Sequence, residues 1–232
     1  MTEQVEYDTA LILMCKRPDA GTSKQRVART AGNDIAQALA GRLLDCALAD
    51  LSRWRGPTAI AIADGTDSGW AQSMAEHHVV LGQKDGNLGE RIESVTRQAT
   101  DLAPRQILIG MDAPTLNHRY LMQIARALQV SDLAFGHAED GGVVAMGCNG
   151  SWPSLRELSW STPQLGAQLG EAAVANGQTV SWFSPLPDID HQDQFEAIAE
   201  ALRSDLRPTR QALRQWLLQQ TRAAVRAHSQ TI

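Results

Sequence analysis

The sequence predicts an α/β domain in which helices cover both faces of a mostly parallel β-sheet. Short apolar runs, such as residues 9–15 and 107–110, are typical of strands that are buried on both faces. Segments with apolar residues at helical spacing, such as residues 88–102, alternate with these runs. Alternation of the two kinds of segment is the pattern of a parallel sheet whose strands are connected by helices.

The predicted elements follow one another in a regular order. Apolar runs predict strands at residues 9–15, 58–63, 78–81, 107–110, 133–136, 143–146 and 179–183. Helical spacing predicts helices at residues 33–54, 88–102, 116–128, 162–176 and 191–202. After a break, Thr209 is a suitable N-cap for a last helix with Leu213, Trp216 and Leu217 on one face. We therefore expect a main domain over residues 1–203 and a C-terminal helical extension over residues 204–232.

Composition limits the classes of protein that the chain can represent. Its 232 residues suffice for one α/β domain whose core needs no disulfides. The 3 cysteines are far apart and lack metal-ligand spacing, so we expect reduced thiols. The chain has neither an apolar run long enough to span a membrane nor the features of a signal peptide, so we expect a cytoplasmic protein. The net charge is −5 although the last 30 residues are rich in arginine, and an acidic body argues against nucleic-acid binding.

The most informative segment is residues 107–116, an apolar run that ends at Gly110 and is followed by Asp112. Ligands of open α/β sheets bind at the carboxyl ends of the strands, where a carboxylate is suited to hold a metal–diphosphate group. Pro114 stiffens this loop, and Asn117 can cap the next helix. A second acidic turn follows at residues 138–142. Two acidic turns on one sheet indicate phosphate and metal chemistry.

A basic loop follows the first predicted strand. Residues 16–26 include Lys16, Gly21, Lys24 and Arg26. Backbone N–H groups at a helix start, together with lysine and arginine side chains, suit a di- or triphosphate. The spacing is neither that of a P-loop nor that of a dinucleotide-binding fingerprint. From these residues alone, a solvated basic turn is the alternative.

Six blocks of the sequence together resemble one known family. In order they read MCKRPDAGTSKQRV at 14–27, QKDGNLGER at 83–91, GMDAPTL at 110–116, EDGG at 139–142, WST at 160–162 and DID at 188–190. They are similar to the motifs of a bacterial glycosyltransferase-like family of largely unassigned function in the nucleotide-diphospho-sugar transferase superfamily. The resemblance implies a GT-A-like fold. Val143 and Val144 depart from the family pattern, which has a tyrosine-rich pair there.

The resemblance also implies a site for a nucleotide and a divalent cation. Asp112 would hold the diphosphate through Mg²⁺ or Mn²⁺, with Asp188 and Asp190 as further ligands, because hard cations prefer oxygen ligands. The alternatives are a loop-capping role for Asp112 and helix capping for the other two aspartates. The implied phosphate contacts come from Lys16, Gly21, Lys24, Arg26 and Arg91.

The second acidic turn is the expected place for the acceptor. Asp140 would bind the acceptor or act as its general base. Gly141 and Gly142 let the backbone approach a ligand closely, and Trp160 would line the acceptor pocket. The alternatives are a tight turn formed by Asp140 and a core position for Trp160.

These features predict a nucleotide-dependent transferase, in the first place a glycosyltransferase that moves a sugar to a small acceptor. The basic loop also looks like that of phospholactate and molybdenum-cofactor guanylyltransferases, so a nucleotidyltransferase that releases pyrophosphate is an alternative. The Val143–Val144 pair gives some weight to a third possibility, a non-catalytic nucleotide-binding or partner-binding protein. The last helix is expected to have a solvated arginine face, with self-association as the alternative; its arginines are Arg210, Arg214, Arg222 and Arg226.

Overall fold

A computed structural model describes residues 5, 7–19, 22–63, 68–74 and 78–229 of the chain. The chain divides into two compact units, and it passes from one to the other several times. The first unit comprises residues 1–17, 50–110 and 116–186, and the second comprises residues 18–49, 111–115 and 187–232. The units divide the chain at positions other than residue 203, and the extension from residue 204 stays a prediction.

The first unit is built on a seven-stranded sheet with the order β3-β2-β1-β4-β6-β5-β7. In chain order the strands are β1 Thr9–Cys15, β2 Thr58–Ile62, β3 Val79–Gly82, β4 Arg105–Ile109, β5 Leu133–Ala138, β6 Val143–Asn149 and β7 Val180–Leu186. Strand β6 runs antiparallel to both of its neighbours, and the other pairs are parallel. The prediction of a mostly parallel α/β sheet is confirmed.

The helices divide between the units. In chain order they are α1 Gln25–Ala31, α2 Asn33–Leu51, α3 Ser68–Met74, α4 Leu88–Gln98, α5 His118–Ala127, α6 Leu165–Ala175, α7 Phe195–Ala201 and α8 Pro208–Ser229. Helices α3 to α6 belong to the first unit, whereas α1, all but the end of α2, α7 and α8 belong to the second. The sequence places a helix start in the basic loop, where α1 begins, but it gives no bounds for α1 and does not predict α3.

Each unit has its own apolar core. In the first unit, alternate strand residues such as Ala10 and Ile12 join Ile92 and Val95 of α4. This follows from the geometry of a strand, in which every second side chain points to the same face. The three cysteines are buried, and none of them is in a disulfide. Among the described residues, no helix is both long and apolar enough to cross a membrane.

The core of the second unit includes the C-terminal helix. Leu213, Trp216 and Leu217 of α8 are buried together with apolar residues of α1, α2 and α7. The rings of Phe195 and Trp216 lie 5.9 Å apart between centroids. These three residues form the apolar face that the sequence predicts for the helix, and α7 and α2 supply its partners.

Two local predictions are wrong and one is confirmed. The expectation of a solvated Arg210 is wrong, because the residue is only 1% exposed. Helix α6 begins at Leu165 rather than at residue 162, because the Thr162 hydroxyl donates to the Ser159 carbonyl at 2.7 Å. The Asn117 cap is confirmed, since its side chain accepts a hydrogen bond from the N–H of Tyr120 at 3.0 Å.

Candidate functional site

Lys24 joins two predicted site aspartates within the second unit. Its Nζ lies 2.6 Å from Oδ1 of Asp112 and 3.0 Å from Oδ1 of Asp190. It also donates to the Ile189 carbonyl at 2.5 Å. An ammonium has three N–H donors, so these contacts account for all of them. The sequence interpretation of Lys24 as a phosphate contact therefore requires this side chain to leave its present partners.

Arg26 completes the group. Its Nη1 lies 2.5 Å from Oδ2 of Asp190, so that this carboxylate sits between two cations. Lys24, Arg26, Asp112 and Asp190 are called the charged cluster below. Two positive and two negative side chains leave the cluster with no net charge. Binding either an anion or a divalent cation here would change the pairing among the four side chains.

The partners in the charged cluster keep one another ionised. Burial works to lower the pKa of Lys24, but Asp112 and Asp190 outweigh burial and raise it above its ordinary 10.5. Burial works to raise the pKa of Asp190, but the charges and hydrogen bonds of Lys24 and Arg26 outweigh it and hold it below 3.8. Both groups are therefore charged at neutral pH.

Asp112 is the more exposed of the two carboxylates in the charged cluster. Its side chain is 51% exposed, whereas that of Lys24 is 8% exposed. The position follows from the chain, since Asp112 lies three residues after the end of β4. Its backbone carbonyl accepts a hydrogen bond from the Ile189 N–H at 3.0 Å. The loop that carries Asp112 is thus tied to the segment that carries Asp190.

The donor set of the charged cluster fits a hard divalent cation. Carboxylate oxygens of Asp112 and Asp190 converge on one cationic group, the Lys24 ammonium. Within the described ranges, no three His, Cys, Asp or Glu residues come together as a metal-binding group, so Asp188 does not complete a triad. Mg²⁺ commonly takes one or two carboxylates and completes its shell with phosphate oxygens and water. A divalent cation held here would take the place of the Lys24 ammonium.

Asp140 forms its own tight turn in the first unit. Its Oδ1 accepts a hydrogen bond from the N–H of Gly142 at 2.9 Å. Gly141 has φ +91°, and a Cβ there would lie 2.3 Å from the Pro163 carbonyl oxygen. The glycine is therefore required by the backbone, apart from any ligand. Asp140 is exposed, and in the part of the chain that the structure describes its Oδ2 has no hydrogen-bond partner.

Trp160 is half-buried against the core of the first unit. Its Nε1 donates to the Leu155 carbonyl at 3.0 Å. A Cβ on Gly89, in the first turn of α4, would lie 2.2 Å from that carbonyl oxygen and 2.9 Å from Trp160 Nε1. These contacts favour the core position for Trp160, and a role in acceptor binding stays a prediction.

Three further residues are predicted phosphate contacts. Lys16 is exposed and directly follows β1. Arg91 lies in the first half of α4, and its Nε donates to the Gly86 carbonyl at 3.0 Å. Gly21 lies outside the described residues. The roles of these three residues stay predictions.

Gln83, which follows β3, is a residue for which the sequence alone predicts no role. Its Nε2 donates to the Ala61 carbonyl of β2 at 2.9 Å and to the Cys15 carbonyl of β1 at 3.4 Å. The side chain thereby ties together the carboxyl ends of three neighbouring strands. The signal was present, because Gln83 opens the second of the six sequence blocks, but the block alone assigns it no role.

Comparisons with solved structures agree on the fold. A provisionally named nucleotide-diphospho-sugar transferase from Desulfovibrio desulfuricans G20 superposes with a TM-score of 0.82 at 22% identity, covering 95% of this chain and 97% of that chain. A cytidylyltransferase from Leptospira borgpetersenii serovar Hardjo-bovis gives 0.56 at 9% identity, with 91% and 94% covered. A CTP-bound CMP:2-keto-3-deoxy-manno-octonic acid synthetase gives 0.51 at 11% identity, with 86% and 100% covered. These likenesses confirm the predicted GT-A-like fold.

At the sequence level, no curated protein matches the chain. The sequence profile of one bacterial family matches residues 23–162, which is more than half of the chain. The matched range contains Lys24, Arg26, Asp112 and Asp140. The chain therefore belongs to the family described as "Uncharacterized protein conserved in bacteria (DUF2064)".

Proposed function

We propose that the chain is a nucleotide-dependent transferase whose charged cluster binds the phosphates of the nucleotide. The observation that carries the proposal is the convergence of Asp112 and Asp190 on the Lys24 ammonium. Such a group combines carboxylates suited to a divalent cation with cations suited to phosphate oxygens. The likeness in fold to a provisionally named nucleotide-diphospho-sugar transferase supports it.

The side chains of the charged cluster have distinct tasks in this proposal. A divalent cation, Mg²⁺ or Mn²⁺, held by Asp112 and Asp190 would supply positive charge to the diphosphate. Lys24 would then be freed from the two carboxylates and would turn its donors toward phosphate oxygens. Arg26 is 47% exposed, so its guanidinium is accessible to the same anion. Fixed cations beside the negative charge that develops in the transition state stabilise that state. Such electrostatic stabilisation is commonly the largest single contribution to the rate enhancement.

Glycosyl transfer is the reaction that we propose first. An acceptor hydroxyl forms a bond to the anomeric carbon of the sugar. The bond from that carbon to the diphosphate oxygen breaks, and the nucleoside diphosphate leaves with the electron pair. We assign the hydroxyl proton to Asp140, an exposed residue whose Oδ2 has no hydrogen-bond partner among the described residues. A positioned carboxylate within hydrogen-bond reach of a hydroxyl is a suitable general base.

Nucleotidyl transfer is the second candidate, and the likeness in fold to a cytidylyltransferase and to a CTP-bound synthetase favours it. In this reaction a phosphate oxygen of the acceptor attacks the α-phosphate of a nucleoside triphosphate, and pyrophosphate leaves. The charged cluster would serve both reactions, because each expels a phosphate-bearing group. The two reactions therefore differ in their donor and in their product.

A two-stage experiment tests the proposal. Melting curves are measured with a panel of nucleoside di- and triphosphates and nucleotide sugars, each with Mg²⁺ or Mn²⁺, because a ligand of the folded state raises the melting temperature. Product assays with the ligands that bind then separate the reactions. Release of nucleoside diphosphate from a nucleotide sugar supports glycosyl transfer, and release of pyrophosphate from CTP or GTP supports nucleotidyl transfer. Binding without either product leaves a non-catalytic binder, and no shift with any ligand contradicts nucleotide binding.

A further inference from the structure

Arg210 is a fully buried arginine in the first turn of the C-terminal helix α8. It is 1% exposed, and it is among the largest of the fully buried side chains. An arginine remains charged at any ordinary pH, so its burial is costly unless its N–H groups are hydrogen-bonded. An apolar side chain would fill the same space without that cost. The presence of a charge here therefore calls for an explanation beyond packing.

The hydrogen bonds of Arg210 reach two different segments of the second unit. Its Nε donates to the Pro114 carbonyl at 3.0 Å, and its Nη1 donates to the Cys46 carbonyl of α2. A guanidinium is a planar, rigid fork, so two acceptors bound to it are held at a fixed separation. Arg210 thereby fixes Pro114 relative to α2.

Pro114 belongs to the loop that carries Asp112. Two residues before Pro114, the Asp112 carbonyl accepts the Ile189 N–H at 3.0 Å. The loop is therefore held at Asp112 by the Ile189 segment and at Pro114 by Arg210. At the first of these points, Oδ1 of Asp112 lies 2.6 Å from Nζ of Lys24.

We infer that Arg210 is a positioning residue of the charged cluster, and that α8 thereby sets the place of the Asp112 carboxylate. Arg210 acts on the charged cluster through the Pro114 carbonyl. The inference rests on the proposed function only in so far as Asp112 binds a cation. Its geometric part, the restraint on the loop, stands independently.

The chain offers a matched control on the same helix. Arg214 lies one turn further along α8, and its Nε donates to the Ala199 carbonyl at 3.1 Å, at the end of α7. Arg214 thus also joins α8 to a backbone carbonyl, but to one outside the Asp112 loop. Replacing Arg210 by methionine removes two guanidinium–carbonyl bonds from the helix, and replacing Arg214 removes one. Methionine keeps the unbranched stem of the side chain in both variants.

The experiment compares Arg210→Met, Arg210→Lys and Arg214→Met with the unmodified protein. Hydrogen exchange of the amides at residues 111–113 and 115 reports on the loop, and calorimetric titration with Mn²⁺ alone reports on the Asp112 carboxylate. We expect Arg210→Met to speed exchange in this loop at least tenfold and to weaken Mn²⁺ binding about tenfold. Arg210→Lys keeps a cation with N–H donors but loses the rigid fork, and it should recover part of both effects. Arg214→Met should change neither by more than about twofold.

The outcomes distinguish failure of the positioning role of Arg210 from failure of the proposed function. If Arg210→Met changes loop exchange and Mn²⁺ affinity no more than Arg214→Met does, Arg210 only stabilises the fold and the inference is overturned. If Arg210→Met does not fold, Arg210→Lys is the deciding variant, and an unchanged loop in it overturns the inference in the same way. If the unmodified protein binds no Mn²⁺, the cation part of the proposed function fails, while loop exchange still decides the role of Arg210.

Discussion

Replacing Lys24 by methionine should have opposite effects on stability and on cation affinity. The Lys24 ammonium contacts Asp112, Asp190 and the Ile189 carbonyl, and only 8% of the side chain is exposed. Methionine keeps the apolar stem and removes the charge and the three donors. The folded protein then loses a buried partner for two carboxylates, whereas a divalent cation loses a competitor for them.

The expected loss of stability depends on how far each partner of Lys24 is exposed to solvent. The bonds to Ile189 and Asp190 are largely shielded, and hydrogen bonds that involve a charged group contribute roughly 1.5–3 kcal/mol each. The pair with the half-exposed Asp112 is screened by solvent, and such pairs contribute about 0–1 kcal/mol. Because desolvating the ammonium offsets part of the total, we expect a net loss of about 2–3 kcal/mol. The melting temperature should fall by roughly 5–10 °C for a chain of this size.

The gain in cation affinity follows from Coulomb's law. Two unit charges about 4 Å apart repel by ~1 kcal/mol in water and ~4 kcal/mol at the dielectric of a protein surface, and a divalent ion doubles either value. Removing the Lys24 charge should therefore strengthen cation binding by at least about 1.4 kcal/mol, which is tenfold in affinity.

Calorimetric titration with Mn²⁺ in the absence of nucleotide measures this gain, and a melting curve of the same sample measures stability. Arg26→Met is the matched control, because Arg26 contacts only Asp190 in the charged cluster and is 47% exposed. It should cost less than about 1 kcal/mol of stability and should raise Mn²⁺ affinity less than Lys24→Met does. If a folded Lys24→Met protein binds Mn²⁺ no more tightly than the unmodified protein, the two aspartates do not hold the cation, and the reasoning is refuted.

Three further predictions use simpler perturbations. Asp140→Asn is nearly isosteric and keeps the acceptor for the Gly142 N–H, so the melting temperature should stay the same while turnover falls about 10²-fold; a lower melting temperature with normal turnover contradicts the base assignment. The pKa of Asp190 lies below 3.8 in the folded protein, so it contributes stability above that pH, and this is lost as pH falls through the folded value. Denaturant titrations at pH 5 and below should therefore show a steeper loss in the unmodified protein than in Lys24→Met, and equal slopes count against the pairing. Arg26→Ala should weaken nucleotide binding about tenfold and leave binding of the free nucleoside unchanged, since one charge-assisted contact is lost; equal losses for both mean that Arg26 does not contact phosphate.

Strand positions could be predicted from the sequence because buried parallel strands are continuous apolar runs. β1 was predicted with the same limits, Thr9–Cys15, that the structure has. The antiparallel placement of β6 between β4 and β5 could not be predicted, because strand order depends on packing between segments that are distant in sequence. The start of α6 was harder to predict for a local reason. A threonine hydroxyl can bond to several nearby backbone groups, and that of Thr162 bonds to the Ser159 carbonyl.

The candidate site was predictable where a residue type and its place at a strand end agree. Asp112 is such a case, since a carboxylate follows an apolar run, and the structure pairs it with Lys24. Arg210 was not predictable, because its bonds to distant segments go to backbone carbonyls such as that of Pro114, which leave no signal in the sequence. An arginine in a helix rich in exposed arginines is expected in solvent, and only the folded chain distinguishes it from Arg222 and Arg226.

The most direct test of the proposed site is nucleotide binding by Asp112→Asn. The variant keeps the size of the side chain and removes the charge that would hold a divalent cation. Calorimetric titrations with the nucleotide that raises the melting temperature most, with Mg²⁺ and with EDTA, compare the variant with the unmodified protein. We predict that Mg²⁺ strengthens nucleotide binding by the unmodified protein, and that Asp112→Asn folds normally but loses at least tenfold in affinity with Mg²⁺ and little without it. Equal affinity of the two proteins in Mg²⁺ would contradict the assignment of Asp112 to a metal–diphosphate site.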